Sequence, residues 1–417
     1  VSTPVGLISN ASGGHNRDRF PDIEARLERS PAIRHIETKA AADIPAALAE
    51  LAERGVRVLA INGGDGTAAA ILGQLLEREP FGEPPVIALL PGGTANMTAG
   101  DVGVRGGLEK ATRRFCDWCD AGATLPADLQ RRAVLKVVAD GEKTPHYAMF
   151  LGGGAIVQGT EYAHRKIHSR GLRDDLSLAL GTVRTVWGVF RDDPAFNRPV
   201  RIRLALDRGE PRIHDTLILA ASTLNRLAFG MRPFWGRGAG TIRLTLMERR
   251  CTRFPRTFVS IARGRPNANA VPKSGYFSHN ADFVTLNMQG KLNLDGEIID
   301  VDGNVSITAS SELRFLRRGA ATRGWRAPNP PGPRHWARCS TTCAGVTGTR
   351  WKRCCCTAPA CATGTFSTVC WISIWWWKAT PAPTTAAFSP RPTGCCRPTC
   401  STRKRNARAG PCAPRSR

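Results

Sequence analysis

Three short stretches of this chain carry residues suited to holding a phosphate: "NASGG" at 10–14, "GGDGT" at 63–67 and "PGGTAN" at 91–96. Glycine lets the backbone come close to a ligand, and the amides at the start of a following helix favour anions. Hydroxyls at Ser12, Thr67 and Thr94 can bond phosphate oxygens, and Asp65 can meet a magnesium–phosphate unit. One such turn reads equally well as a plain strand–helix connection. Three in one chain, each after an apolar run, are hard to read that way. The pattern GxxxxGK[ST] is absent, so the turns are not a P-loop.

The elements that must position these turns are legible in the apolar periodicity. Val5–Ser9 reads as a strand, residues 17–29 as a helix and Ile33–Glu37 as a strand. Asp43–Arg54 is a helix with Gly55 just past its end, and Val56–Ile61 is a β-branched strand. Thr67–Arg78 is the next helix, and Val86–Leu90 the strand that runs into "PGGTAN". This order predicts a parallel α/β sheet with helices on both faces and a ligand at the carboxyl ends of the strands. After about residue 130 the text changes to short runs separated by turn residues. "AVLKVVAD", "HYAMFLGGGAIV", "VRIRLALD", "DTLILAAS", "TIRLTLME", "RTFVSIARG" and "FVTLNMQG" all read as strands. One helix over 175–191 interrupts them, and residues 294–316 read as a final hairpin and strand. This is an antiparallel β-rich second domain.

Taken in order, "NASGG", "GGDGT", "PGGTAN" and "LDGE" at 294–297 resemble the signatures of the diacylglycerol kinase catalytic-domain family, which includes bacterial lipid kinases, sphingosine kinases and ceramide kinases. The resemblance covers about residues 1–318. It implies an α/β nucleotide domain (1–128), a β-sandwich lipid-substrate domain (129–318) with final strands returning to the first, and an active site in the cleft between them. It further implies that Asn10, Ser12, Gly13, Thr38, Gly63, Gly64, Asp65, Gly66, Thr67, Gly93 and Thr94 line an ATP site. Glu297 would be the general base that takes the proton from a lipid hydroxyl, with Asp295 as the alternative. Asp65 would organise the magnesium ion. Phosphoryl transfer is mostly positioning and charge stabilisation, which such a set could supply.

This sequence departs from the family pattern in places. Ala11 stands where proline is usual, His15 and Arg17 replace a common lysine, and "TANMTAG" lacks an aspartate after asparagine. Ala239 occupies the place of an aspartate that helps hold a structural magnesium, which puts that site in doubt. Two other readings stay open: an NAD kinase, whose family shares "GGDGT", and a catalytically inactive nucleotide- or lipid-binding homologue. "LDGE" also reads as a hairpin turn with a surface acid. His146, His164 and His168 lack a partner pattern and read as surface residues, and Cys116 and Cys119 lack a second metal-ligand pair.

Whole-chain charge misleads here. Of 417 residues carrying a net charge of +25, residues 319–417 contribute sixteen Lys/Arg and no Asp or Glu, so the first 318 are only mildly basic. Eleven of fourteen cysteines and seven of ten tryptophans also lie in that tail. Its codons, regrouped with free third bases, permit an acidic, leucine-rich text ("VCWISIWWWKAT" permits LLDLDLVVEGD). A frameshift around 318–335 followed by a disordered tail is therefore expected, with no function assigned there. The body reads as cytoplasmic, with few cysteines and neither a signal peptide nor an apolar run long enough to span a bilayer. No nucleic-acid partner is expected. Peripheral contact with a membrane is, through the basic stretches "RRAVLK" and "HRKIHSRGLR".

Overall fold

A computed structural model describes residues 3–12, 14–125, 129–163, 188, 191 and 198–317. Gly13, His164, His168, the "HRKIHSRGLR" stretch, nearly all of the expected helix at 175–191 and the tail from 318 lie outside the described residues.

The first sheet follows from strict alternation along its strands. In β1 (Val5–Ser9), β3 (Val58–Gly63) and β4 (Val86–Pro91) every residue is buried. Val5, Leu7, Val58, Ala60, Val86, Ala88 and Leu90 enter one apolar layer. Ile8, Leu59, Ile61, Ile87 and Leu89 enter the other. Strands buried on both faces need helices on both sides. Helices α1 (Asn16–Glu28) and α5 (Leu108–Asp120) cover the first layer, while α2 (Ile44–Glu53) and α3 (Asp65–Arg78) cover the second.

The strand order is β2-β1-β3-β4-β15-β5, with β2 at Ile33–Glu37, β5 at Gln130–Arg132 and β15 at Leu313–Phe315. All pairs are parallel except β15 with the edge strand β5. The chain thus returns to its first sheet after completing the second, and Leu313 and Phe315 enter the core there, 1% and 0% exposed.

The second sheet is antiparallel and holds nine strands, in the order β12-β11-β10-β8-β13-β14-β6-β7, with β9 paired to β10 and β13. Its strands are β6 (Leu135–Ala139), β7 (His146–Ala148), β8 (Phe150–Gly154), β9 (Val200–Leu206), β10 (Arg212–Ser222), β11 (Ile242–Glu248), β12 (Tyr276–Ala281), β13 (Phe283–Leu294) and β14 (Glu297–Ala309). Strands β8 and β9 fill the same slot between β10 and β13, one after the other along it. The main core of this sheet is built from strand residues alone, from β6 to β12, so the sheet curls and packs its inner face against itself.

One expected strand is a helix, and another gives way to a helix at its end. "RTFVSIARG" lies in α7 (Phe254–Ala262), where Phe254, Phe258 and Ile261 recur at i, i+4 and i+7 and Pro255 sits in the first turn. The end of "HYAMFLGGGAIV" opens α6 (Ala155–Tyr162), after Gly154 at φ +65°. Both segments are rich in β-branched and aromatic residues, and their helical period was hidden by that composition. No described helix is long and apolar enough to cross a membrane.

Candidate active site

From β1 the chain goes out to β2 and then crosses back to β3 on the other side. A ligand crevice is expected above the carboxyl ends of β1 and β3, where the connections diverge. Asn10 and Gly64 follow those ends, and the "PGGTAN" turn follows β4 beside them.

The three glycine turns touch backbone to backbone. A Cβ on Gly93 would lie 2.2 Å from Gly64 Cα, and one on Gly14 would lie 2.9 Å from the Gly93 backbone. Gly63 has no room either, since a Cβ there would sit 2.7 Å from Thr67 Cβ. Only glycine permits this approach.

Side chains then lock the turns together. Asn10 Oδ1 accepts the Ser12 amide at 3.0 Å, and Asn10 Nδ2 donates to Thr67 Oγ1 at 3.0 Å, tying the first turn to the second. Asn96, at φ +45°, accepts the Gly93 amide at 2.9 Å and donates to the Gly93 carbonyl at 2.5 Å, which closes the third. Beneath them Asn16 donates to the Asn10 carbonyl (2.7 Å), and Asn62 donates to Ser9 Oγ (3.3 Å). Asn16 and Asn62 are both fully buried, and the Oδ1 of each has no protein partner. His35 Nε2 meets Ser9 Oγ at 2.9 Å, and burial is the main cause that pushes its imidazole below the ordinary histidine pKa. Asn16, Asn62, Ser9 and His35 were not singled out from sequence. Only Asn62, which directly precedes the "GGDGT" turn, carried a signal.

The carboxylates come from both sheets. Asp65, at the start of α3 and 6% exposed, accepts the Met97 amide at Oδ2 (2.9 Å) and the Thr98 amide at Oδ1 (2.9 Å). It therefore anchors the start of the short helix α4 (Met97–Asp101). Each of its oxygens thus already accepts one amide of the neighbouring turn, a structural duty that the sequence did not suggest.

Asp295 and Gly296 form the two-residue turn between β13 and β14, with φ +50° and +104°. Two successive positive φ values are the type I′ requirement, which Asp-Gly meets. The hairpin reading of "LDGE" is thus right as structure, and the same turn also delivers acids to the site. Asp295 is half-buried as a residue, but its carboxylate is turned inward onto the amides of Met149 (2.6 Å) and Phe150 (3.0 Å). Burial first, then the neighbouring Asp65 and more weakly Glu297, raise its pKa well above the carboxylate range despite those two amides. Glu297 is exposed, its carboxylate makes no hydrogen bond among the described residues, and a methyl placed on Gly66 would lie 4.0 Å from its Oε1. The "DGE" turn therefore faces the "GGDGT" turn from 232 positions away.

Of the other expected site residues, Ser12 is exposed and Thr94 half-buried, and neither hydroxyl has a partner among the described residues. Thr38 is 5% exposed and donates to the Ser9 carbonyl (3.3 Å), so it supports the floor. Among the described residues no cluster of three or more His, Cys, Asp or Glu forms a cage for a metal ion. Cys116 and Cys119 are buried against α1, and burial pushes both thiols up. His146 pairs with Glu142 at the surface. In "RRAVLK", Arg132 turns to Asp101 and Lys136 to Glu77.

A sequence model of the family described as "Diacylglycerol kinase catalytic domain" matches residues 4–128. Three solved structures from Bacillus anthracis str. Sterne share the fold, one titled as a diacylglycerol kinase and two as putative ones. The first is 15% identical with a TM-score of 0.50, covering 76% of this chain and 97% of its own. The other two are each 15% identical, with TM-scores of 0.56 and 0.53, covering 77% of this chain and 99% of theirs. No curated protein matches the chain.

Proposed function

We propose that this chain, whose residues 4–128 form a diacylglycerol kinase catalytic domain, transfers a phosphoryl group from ATP to a hydroxyl of diacylglycerol or a related lipid. The observation that carries the reading is the opposition of two turns: glycines with no room for a Cβ on one side, an unpaired Glu297 carboxylate on the other.

The chemistry divides between them. Amides at the starts of α1 and α3, with the hydroxyls of Ser12 and Thr94, hold and orient the phosphates of ATP. Bound ATP supplies the phosphoryl group and its leaving oxygens. Glu297 accepts the proton as the lipid hydroxyl attacks, because it keeps open lone pairs. Asp295 is less available: each of its oxygens already accepts an amide, and it is held toward the protonated form. It is a positioning residue that fixes the turn carrying Glu297. The donor set for a protein-held magnesium is thin, since Asp65 and Asp295 both bind amides, so no step is assigned to the ion.

The membrane supplies the substrate, so the enzyme works at a lipid surface. An assay of phosphate transfer from labelled ATP to diacylglycerol, sphingoid bases and NAD tests this. Labelled lipid is expected. Turnover of NAD alone overturns the assignment, and nucleotide binding with no acceptor labelled makes the chain an inactive homologue.

A further inference from the structure

A second charged feature lies at the other end of α4. Between that helix, the edge strand β5 and the loop joining β10 to β11 runs a groove of about 600 Å³. Its walls carry Arg105, Arg132, Arg226, Arg232, Arg243 and Arg317, and the one carboxylate is Asp101. None of these residues belongs to the glycine turns or to the "DGE" turn.

The single carboxylate is used up. Asp101 Oδ1 accepts the amides of Asn225 (3.0 Å) and Arg226 (2.8 Å), and Oδ2 accepts from Arg132 Nε at 2.6 Å. Its side chain is 1% exposed, so it faces the floor and not the groove. Arg243 is half-buried beside Arg132 and donates only to neutral oxygens, the Leu224 carbonyl and Asn225 Oδ1. Arg105, Arg226 and Arg232 are exposed and have no acidic partner among the described residues. The segment that follows the groove cannot neutralise it, since residues 318–417 contain no Asp or Glu.

Converging guanidinium groups are costly to hold together unless an anion joins them, and their planar forks fit phosphate oxygens two at a time. The volume lies within the range of small-ligand sites. We propose that this groove binds a multiply charged phosphate group, a phosphate monoester or pyrophosphate, at a site separate from the glycine turns. The same group can come from a soluble molecule or from a phosphorylated lipid headgroup. Helix α4 joins the two sites: Asp65 holds its first amides and Asp101 anchors its last turn, about 6 Å along the axis.

Isothermal titration of the full chain with inorganic pyrophosphate tests the site. Binding is expected, with affinity falling at least about tenfold for each arginine lost. R226E/R232E should abolish the binding that remains once the glycine turns are saturated with a non-hydrolysable ATP analogue, while Thr67→Ala should leave that binding in place. The opposite pattern puts pyrophosphate on the glycine turns and overturns the proposal, as does a wild-type chain that gives no heat. If the charge reversal unfolds the protein, judged by melting without ligand, R105A/R232A carries the same comparison. Sedimentation with phosphatidylcholine vesicles, with and without phosphatidic acid, distinguishes the source. The tail cations bind acidic vesicles in every variant, so the readout is the difference between wild type and R226E/R232E. A difference assigns a lipid phosphate, and none overturns the lipid source.

Discussion

The two turns that face each other across the candidate site are built on opposite principles. On the first sheet, Gly14, Gly64 and Gly93 form a surface made of main chain, where adding one carbon produces contacts of 2.2–3.1 Å. On the second sheet, the Asp295–Gly296 turn uses its backbone only to aim side chains, and its two acids are treated differently: Asp295 is fastened by two amides and Glu297 by nothing. A phosphate can be held by a rigid array of N–H groups. A proton must be accepted by a group with a lone pair to spare. The difference separates binding from chemistry, and it can be broken one side at a time.

The largest effect is expected on the chemical side. Glu297→Gln keeps shape and removes the base, so kcat should fall by about 10²–10⁴-fold while ATP binding by calorimetry stays within twofold of wild type. Activity that survives the change returns the role to another group. On the binding side, Gly93→Ala forces the third turn off the second. It should cost about 1–3 kcal/mol of stability in denaturant melts, and more if the turns cannot separate. Nucleotide affinity should be lost with it. An alanine variant with wild-type stability and affinity would show that the turns have slack the geometry does not suggest.

Asp295→Asn sharpens the division between the two acids. Asparagine has one acceptor where the carboxylate has two, so one of the Met149 and Phe150 amides is left unsatisfied, at about 1–3 kcal/mol. If Asp295 only positions the turn, kcat should drop by about tenfold with an unchanged pH–rate profile. A loss as large as that of Glu297→Gln, with the profile abolished, would make Asp295 the base instead.

How much of this was visible in the sequence follows the same division. The glycine side was legible because each turn sits after an uninterrupted apolar run of strand length. That the turns touch was not legible, since contact depends on how far β1, β3 and β4 are staggered. The acid side was legible only as a motif. Nothing in "LDGE" shows that Asp295 is locked and Glu297 open, because the lock is made by amides 145 and 146 positions earlier. The anchoring duty of Asp65 was hidden for the same reason: its amide partners, Met97 and Thr98, lie in another turn. The misread helix over "RTFVSIARG" failed differently. Phe254, Phe258 and Ile261 do carry a helical period, but Thr, Val and Ser between them look like strand residues until Pro255 is given weight as a first-turn residue.

The smallest effect probes the floor that both sides share. His35 on β2 meets Ser9, whose hydroxyl is also reached by Asn62, and Ser9 immediately precedes Asn10. Burial, the largest cause, lowers the His35 pKa, and Glu24 and Glu37 oppose it only in part. A histidine whose folded pKa lies below its unfolded value binds fewer protons folded than unfolded in the window between the two. Stability therefore rises with pH there. The contribution is fully present above about 6.5, the unfolded value, and is lost as pH falls through the folded one. His35→Gln cannot take up that proton, so its melting temperature relative to wild type should improve as the buffer is taken from pH 7.5 to pH 5. A difference that stays constant over that range would mean that His35 is already solvated enough to charge freely. In that case the turns would rest on Asn16 and Asn62 alone.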